Sequence, residues 1–254
     1  MRVALTGGSS GIGAEVARKL GDLGHEVTAF DISEPEVEVA EWIETDLSSS
    51  ASIQAAVGRA SGRFDALLNN AGLPPRDGLE QKILQVNWFG LRNLMDGMLE
   101  KLAPGGAIVN TASRAGAMWR DNLDEVKALM SLQPDGLPAF ISERSIDATR
   151  AYNLSKEAVI VMTMAETENM IERGLRMNSV SPAAVSTGIL QDFAAAFGDR
   201  MARNVARAGR PGLPEEIADV IVFLASPESG WIKGQDITID GGMSAMSVSD
   251  KLQL

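Results

Sequence analysis

MRVALTGGSSGIGAEVARKLGDLG (1–24) is the stretch that decides how this chain is read. Val3, Ala4 and Leu5 form a short apolar run within RVALT (2–6), and the glycine-rich turn Thr6–Gly13 follows at once. From there, apolar and small residues recur at helical spacing over 12–23. A strand that turns through glycines into a helix brings free backbone N–H groups and the positive end of a helix dipole to one point. That arrangement suits a pyrophosphate, although a glycine-rich run alone can be no more than a tight turn. The next strand, EVTAF (26–30), sharpens the reading, because it ends on Asp31, eighteen residues past Gly13. A carboxylate there can accept both ribose hydroxyls of an adenosine and repel a 2′-phosphate. Its plainer alternative is a turn cap.

Working outward, short apolar runs alternate with longer amphipathic stretches. FDALLNN (64–70), GAIVNTAS (106–113), RMNSVSP (176–182) and DITID (236–240) read as further strands, and VAEWIE (39–44) as a weaker seventh. Helical periodicity marks 50–62, 80–102, 150–173 and 214–226. Such alternation predicts an α/β chain: one doubly wound, Rossmann-type domain over 1–254, with about seven parallel strands and helices on both faces. Two places break the rhythm. Between Asp31 and 39 there is no room for a helical crossover, and 114–149 is a long insertion with two short helical patterns, predicted to form a helical cap.

Composition excludes several functions. The chain has no cysteine and a single histidine, His25, so thiolate chemistry, disulfides and His-cluster metal sites fall away, and no metal is expected. A net charge of −11 argues against nucleic acid or an anionic membrane as partner. No apolar run approaches the roughly 18 residues of a membrane span, and the N-terminal run is too short for a secretion signal. The expected compartment is the cytoplasm.

The only tyrosine, Tyr152, stands four residues before Lys156 in RAYNLSKEA (150–158). On a helix these two share one face. The pair alone is too short a motif to separate chemistry from a tyrosine packed on the core.

Taken together, the motifs resemble the short-chain dehydrogenase/reductase family over nearly the whole chain. Its glycine pattern is met by Gly7, Gly11 and Gly13, its adenine-contacting Asp-hydrophobe pair by Asp46 and Leu47, and its NNAG by Asn69, Asn70, Ala71 and Gly72. The family's helical asparagine corresponds to Asn87, its strand-end serine to Ser113, its YxxxK to Tyr152 and Lys156, and its DGG to Asp240, Gly241 and Gly242. The resemblance implies an NAD cofactor bound by Gly7, Ser10, Gly11, Ile12 and Gly13 in the turn, by Asp31, Asp46 and Leu47, by Asn70, Ala71 and Gly72, by Tyr152 and Lys156, and by Val185 and Thr187 against the carboxamide. Thr187 reads equally as the N-cap of a following helix. It also implies a homo-oligomer of two or four subunits. Departures are Pro182-Ala183 in place of Pro-Gly, the missing helix after Asp31, and 39 residues from Ser113 to Tyr152 where the family has a dozen or so. This last feature is similar to a bacterial subgroup of 3α-hydroxysteroid dehydrogenase/carbonyl reductases.

The implied catalytic set is Asn87, Ser113, Tyr152 and Lys156. Oxidising an alcohol needs a base for its proton, and a free tyrosine, with a pKa of about 10, is a poor one. A lysine charge at about 4 Å, with an effective dielectric near 20, is worth roughly 4 kcal/mol, or about three pKa units, which would bring the phenol toward neutrality. Ser113 would hydrogen-bond the substrate oxygen, and Asn87 would hold a water. The expected substrate is a bulky secondary alcohol or ketone (hydroxysteroid, alicyclic or aromatic), with Met118, Trp119, Leu190, Phe193, Phe197 and Met201 available to wall it or simply to pack. Two alternatives remain open at this level: a cofactor-independent lyase such as a dehalogenase, and a non-catalytic NAD sensor.

Overall fold

The computed structural model describes residues 1–254 and contains seven strands: β1 (Arg2–Thr6), β2 (Glu26–Asp31), β3 (Glu41–Glu44), β4 (Phe64–Asn69), β5 (Leu102–Thr111), β6 (Arg176–Pro182) and β7 (Asp236–Ile239). All pair in parallel, in the order β3-β2-β1-β4-β5-β6-β7. The chain builds outward in one direction from β1 and then returns to build in the other from β4. The topological switch point therefore lies between β1 and β4, where a parallel sheet opens a crevice at its carboxyl ends.

Eleven helices flank the sheet: α1 (Gly11–Asp22), α2 (Ser50–Arg59), α3 (Glu80–Leu84), α4 (Leu91–Met98), α5 (Leu123–Met130), α6 (Leu137–Glu143), α7 (Ala148–Ala165), α8 (Thr167–Glu172), α9 (Leu190–Ala208), α10 (Pro214–Ala225) and α11 (Met243–Leu252). Alternation along the strands divides the core. Val3, Leu5, Ala66 and Leu68 face one way and meet α1 and α10, while Ala4, Leu67 and Ile108 face the other and meet α4 and α7. Helix α1 buries Val16, Ala17 and Leu20, the i, i+1, i+4 stripe that its sequence shows. Each fully buried leucine of this kind contributes about 1.5–3 kcal/mol. No helix is long and apolar enough to cross a membrane.

The connection after Asp31 contains no helix before β3. The segment 80–102 is a composite: α3 and α4 are joined by a π-helical stretch, Gln85–Gly90, that carries Asn87. The insertion is helical, but only residues between Arg114 and Asn122 reach the main cavity. Helix α5 lies against α7, and α6 against α3. The buried Glu157 of α7 fixes that contact, accepting from Asn122 at 2.7 Å and from both terminal nitrogens of Arg150 at 3.0 and 2.7 Å, while Arg150 Nε donates to Glu125 at 2.8 Å. So α5 buttresses α7, and α6 buttresses α3, from outside rather than roofing the cavity.

Candidate active site

One cavity of about 1140 Å³ opens at the switch point. Its first half collects the ends of β1, β2, β3 and β4: Gly7, Ser10, Gly11 and Ile12; Asp31; Asp46 and Leu47; Asn70, Ala71 and Gly72. The turn is held by its own residues. Thr6 Oγ1 accepts from the backbone N–H groups of Asn70 and Ala71, both at 3.0 Å, and Asn70 Nδ2 donates to the Gly7 carbonyl at 3.2 Å. Gly13 does not line the cavity. It packs beneath the turn, where a Cβ would overlap the Gly7 carbonyl and crowd Asn70. Gly11 opens α1 with φ of 53°, a left-handed conformation that side chains disfavour.

These residues fit a dinucleotide. Helix α1 has no acid in its first turn and the Ser10 side chain makes no capping bond, so the helix start is left open to an anion. Asp31 is buried, and its carboxylate accepts from Ser9 N at 2.9 Å and Ser33 N at 3.2 Å, which pins it at the tip of β2. Asp46 is held by Ser48, whose backbone N–H donates at 2.8 Å and whose hydroxyl donates at 2.7 Å; these bonds lower its pKa.

The second half holds Ser113, Tyr152 and Lys156. Ser113 follows the end of β5, and its hydroxyl accepts from Ala115 N at 3.2 Å. Asp147 caps α7, accepting from Arg150 N at 2.6 Å, so the helix begins one turn before Tyr152 and carries it inward. Burial pushes the phenol up to about 12, opposed by the nearby Ser113 hydroxyl. Burial also draws Lys156 down to about 8. The lysine Nζ donates to the Thr111 carbonyl at 2.7 Å and lies 5.8 Å from the Tyr152 ring centre. The expected tuning is thus reversed in the protein alone. Desolvation acts on both groups and keeps the phenol protonated.

Asn87 does not line the cavity either. Its Oδ1 accepts from Leu73 N at 2.7 Å, and its Nδ2 donates to Leu73 O at 3.0 Å and Ser155 Oγ at 3.3 Å. The side chain is committed to holding the segment that follows β4, so a water-holding role finds no support from it. Val185 and Thr187 line the cavity, with Thr187 facing Gly11. The capping alternative for Thr187 is not realised, because Ile189 precedes α9 and no side chain caps that helix. Of the predicted walls, Met118, Phe193, Phe197 and Met201 line the cavity, whereas Trp119 packs on the core and Leu190 stays outside. Phe193 meets Tyr152 edge-on with centroids 5.2 Å apart, and Phe197 stacks on Phe193 at 6.3 Å. Sequence reasoning missed Arg114, Arg200, Asn204 and the α11 residues Ser247 and Lys251, all of which line the same cavity. The arginine run of 200–210 was the available signal.

A parallel sheet whose switch point holds a glycine turn, with a phenol, a hydroxyl and an ammonium in the same cavity, defines a dinucleotide-binding enzyme. Residues 2–123 match the short chain dehydrogenase family, and residues 137–244 match the family described as enoyl-(acyl carrier protein) reductase. The chain belongs to the short-chain dehydrogenase/reductase family and is an NAD-dependent oxidoreductase of that family. It is 34% identical over 251 residues to coniferyl-alcohol dehydrogenase of Pseudomonas sp. (strain HR199 / DSM 7063), covering 97% of this chain and 98% of that one. It is 30% identical over 250 residues to 3-alpha-hydroxysteroid dehydrogenase/carbonyl reductase of Comamonas testosteroni, covering 96% of each. Among solved structures, the 3-alpha-hydroxysteroid dehydrogenase of Pseudomonas sp. B-0831 complexed with NADH superposes with a TM-score of 0.86 at 31% identity, covering 97% of this chain and 98% of that one.

Proposed function

We propose that the protein transfers hydride between NAD and a bulky alicyclic or aromatic alcohol or its ketone, with Tyr152 as the acid/base. The observation that carries this reading is the position of Tyr152. It stands near the Ser113 hydroxyl and edge-on to Phe193, where the polar nucleotide half of the cavity meets an apolar half. The bound nicotinamide supplies the hydride donor or acceptor and, when oxidised, a positive charge in the same cavity. Ser113 orients the substrate oxygen, and Tyr152 gives or takes its proton. Lys156, fixed by the Thr111 carbonyl, offers its remaining N–H groups to a ribose. Asp31 favours NAD over NADP, since a 2′-phosphate would meet its carboxylate. The relatives' names, an aromatic alcohol and a hydroxysteroid, agree with an apolar body for the substrate.

A screen of alicyclic and aromatic ketones, followed by NADH absorbance, tests the reading. Stoichiometric NADH binding with no turnover would leave a nucleotide sensor, and turnover without nucleotide would leave a lyase. The working form is proposed to be a homo-oligomer. Strand β7 is the sheet's edge, paired only with β6, and the flanking segments expose Phe223 (44%) and Trp231 (94%). An open edge with exposed apolar groups is what a second copy covers. Light scattering should give a dimer or tetramer, and Trp231→Glu should weaken it. A monomeric parent chain removes the proposal.

A further inference from the structure

Past Phe197 the cavity runs outward between α9 and α11. Helix α9 lines it with Phe193 and Phe197, four residues apart, and with Arg200 and Asn204, again four apart. Gly198, with φ of 47°, bends the helix between the two pairs. Helix α11 answers with Ser244, Ser247 and Lys251 at steps of three and four residues. The wall is therefore aromatic beside Tyr152 and cationic at its far end.

A second recess of about 110 Å³ adjoins the far end and shares Arg114, Arg200, Asn204 and Ser247 with the main cavity. Three arginines line it, Arg207 being the third, and no acid does. Two of the three are already paired. Arg114 donates to Asp240 at 3.1 Å and to the Ser244 hydroxyl at 3.0 Å, and Arg207 grips Asp250 with bonds of 2.6 and 3.1 Å. Arg200 has no carboxylate within ion-pair distance, the neighbouring Asp199 included, and Lys251 has none either. In a chain of net charge −11, an unpaired guanidinium in a recess lined by two further arginines and no acid, with the unpaired Lys251 on the wall of the adjoining main cavity, marks a place for an oxyanion.

We propose that this recess takes a carboxylate at the far end of the substrate. The substrate class is then an alcohol or ketone with a rigid apolar body and an acidic group remote from the reacting carbon. Arg200 is the specificity-determining residue, with Asn204 and Ser247 as neutral donors beside it. The proposal rests on the oxidoreductase reading for its reacting end and on the recess for its acidic end.

The test uses a pair of ligands: an arylcyclohexanone with a para carboxylate on its phenyl ring, and its methyl ester. Binding is measured by calorimetry on protein saturated with NAD⁺, under which the ketone cannot be reduced. The acid should bind about 10- to 100-fold more tightly than the ester, and the gap should shrink at high salt. Arg200→Gln should bring the acid to the ester's affinity, Arg200→Lys should restore part of the gap, and Ser247→Glu should reverse the preference. Equal affinities in the parent protein overturn the proposal, as does failure of both ligands to bind. A gap that survives Arg200→Gln overturns it too. If that variant instead loses NAD⁺ affinity, the guanidinium serves the nucleotide and the substrate assignment falls. Free acetate binding as tightly as the acid would make the recess a general anion site, which also overturns it. Reduction of the pair with NADH is followed separately. A retained gap with no turnover sinks the oxidoreductase reading and leaves the recess standing, and turnover with no gap does the opposite.

Discussion

The ammonium of Lys156 is held by the backbone carbonyl of Thr111 at 2.7 Å in a setting that leaves the lysine only 4% exposed. Burial disfavours its charge, and its pKa falls to about 8. The folded-state value lies below the unfolded one, so between pH 8 and 10.5 the unfolded chain binds more protons and this lysine's stability penalty shrinks as pH rises. Below pH 8 the penalty is fully present. Lys156→Met keeps the volume and removes the charge, at the cost of the bond to Thr111, about 1 kcal/mol. The variant should be more stable than the parent at pH 7 by about 1–2 kcal/mol, or roughly 2–6 °C in Tm. That advantage should fade toward pH 10. A thermal-melt series across pH checks the sign, and a Lys156→Met protein melting below the parent at pH 7 would contradict the burial argument.

Tyr152 carries the opposite shift, up to about 12. As a protonated phenol it is poised to donate, so alcohol oxidation should accelerate as pH rises while ketone reduction is already supported at neutral pH. Tyr152→Phe removes one oxygen from a buried ring and should leave NADH affinity near that of the parent. The expected loss in kcat is about 10²–10⁴-fold, the range of general acid–base catalysis. Parallel measurement of NADH binding by fluorescence and of kcat settles the role. Near-full activity in this variant would return the tyrosine to plain core packing.

Asp31 is pinned by two backbone donors, so its carboxylate cannot swing away from an incoming 2′-phosphate. Charge repulsion at such range reaches about 4 kcal/mol at an effective dielectric of 20. Asp31→Ser should therefore narrow the NAD over NADP ratio of kcat/KM by about tenfold or more, mainly through a better KM for NADP. Equal use of both cofactors by the parent enzyme would falsify the assignment.

The centre of the sheet was legible because β1 and β4 are buried on both faces and carry apolar runs, and because Asp31 and the NNAG segment fall at strand ends. The two helices that line the outer cavity were harder to see. Helix α9 contains no buried residue at all, so its apolar side faces the cavity and carries no core stripe to read. The role of Asn87 was obscured for a different reason. The π-helical stretch Gln85–Gly90 adds one residue to a turn, shifting the helix phase in a way periodicity hides, and its partner Leu73 is brought to it only by the folded β4 end. The sign of the Tyr152 and Lys156 shifts could not be read from spacing either, because both are set by burial.

Met118 and Trp119 are neighbours in the insertion, yet the fold gives them different surroundings. Met118 lines the cavity and is 51% exposed. Trp119 packs against the core with the Arg120 guanidinium 4.2 Å above its ring, and does not face the cavity. Met118→Ala should then raise KM for a bulky ketone severalfold while leaving Tm and NADH affinity close to the parent's. Trp119→Ala should do the reverse, costing about 1–3 kcal/mol of stability through lost packing with little change in KM. Steady-state kinetics and thermal melts on the two single variants separate the cases. If Trp119→Ala changed KM as strongly as Met118→Ala, the insertion would act on substrate as one unit, and the division drawn between its cavity-lining start and its packed remainder would fail.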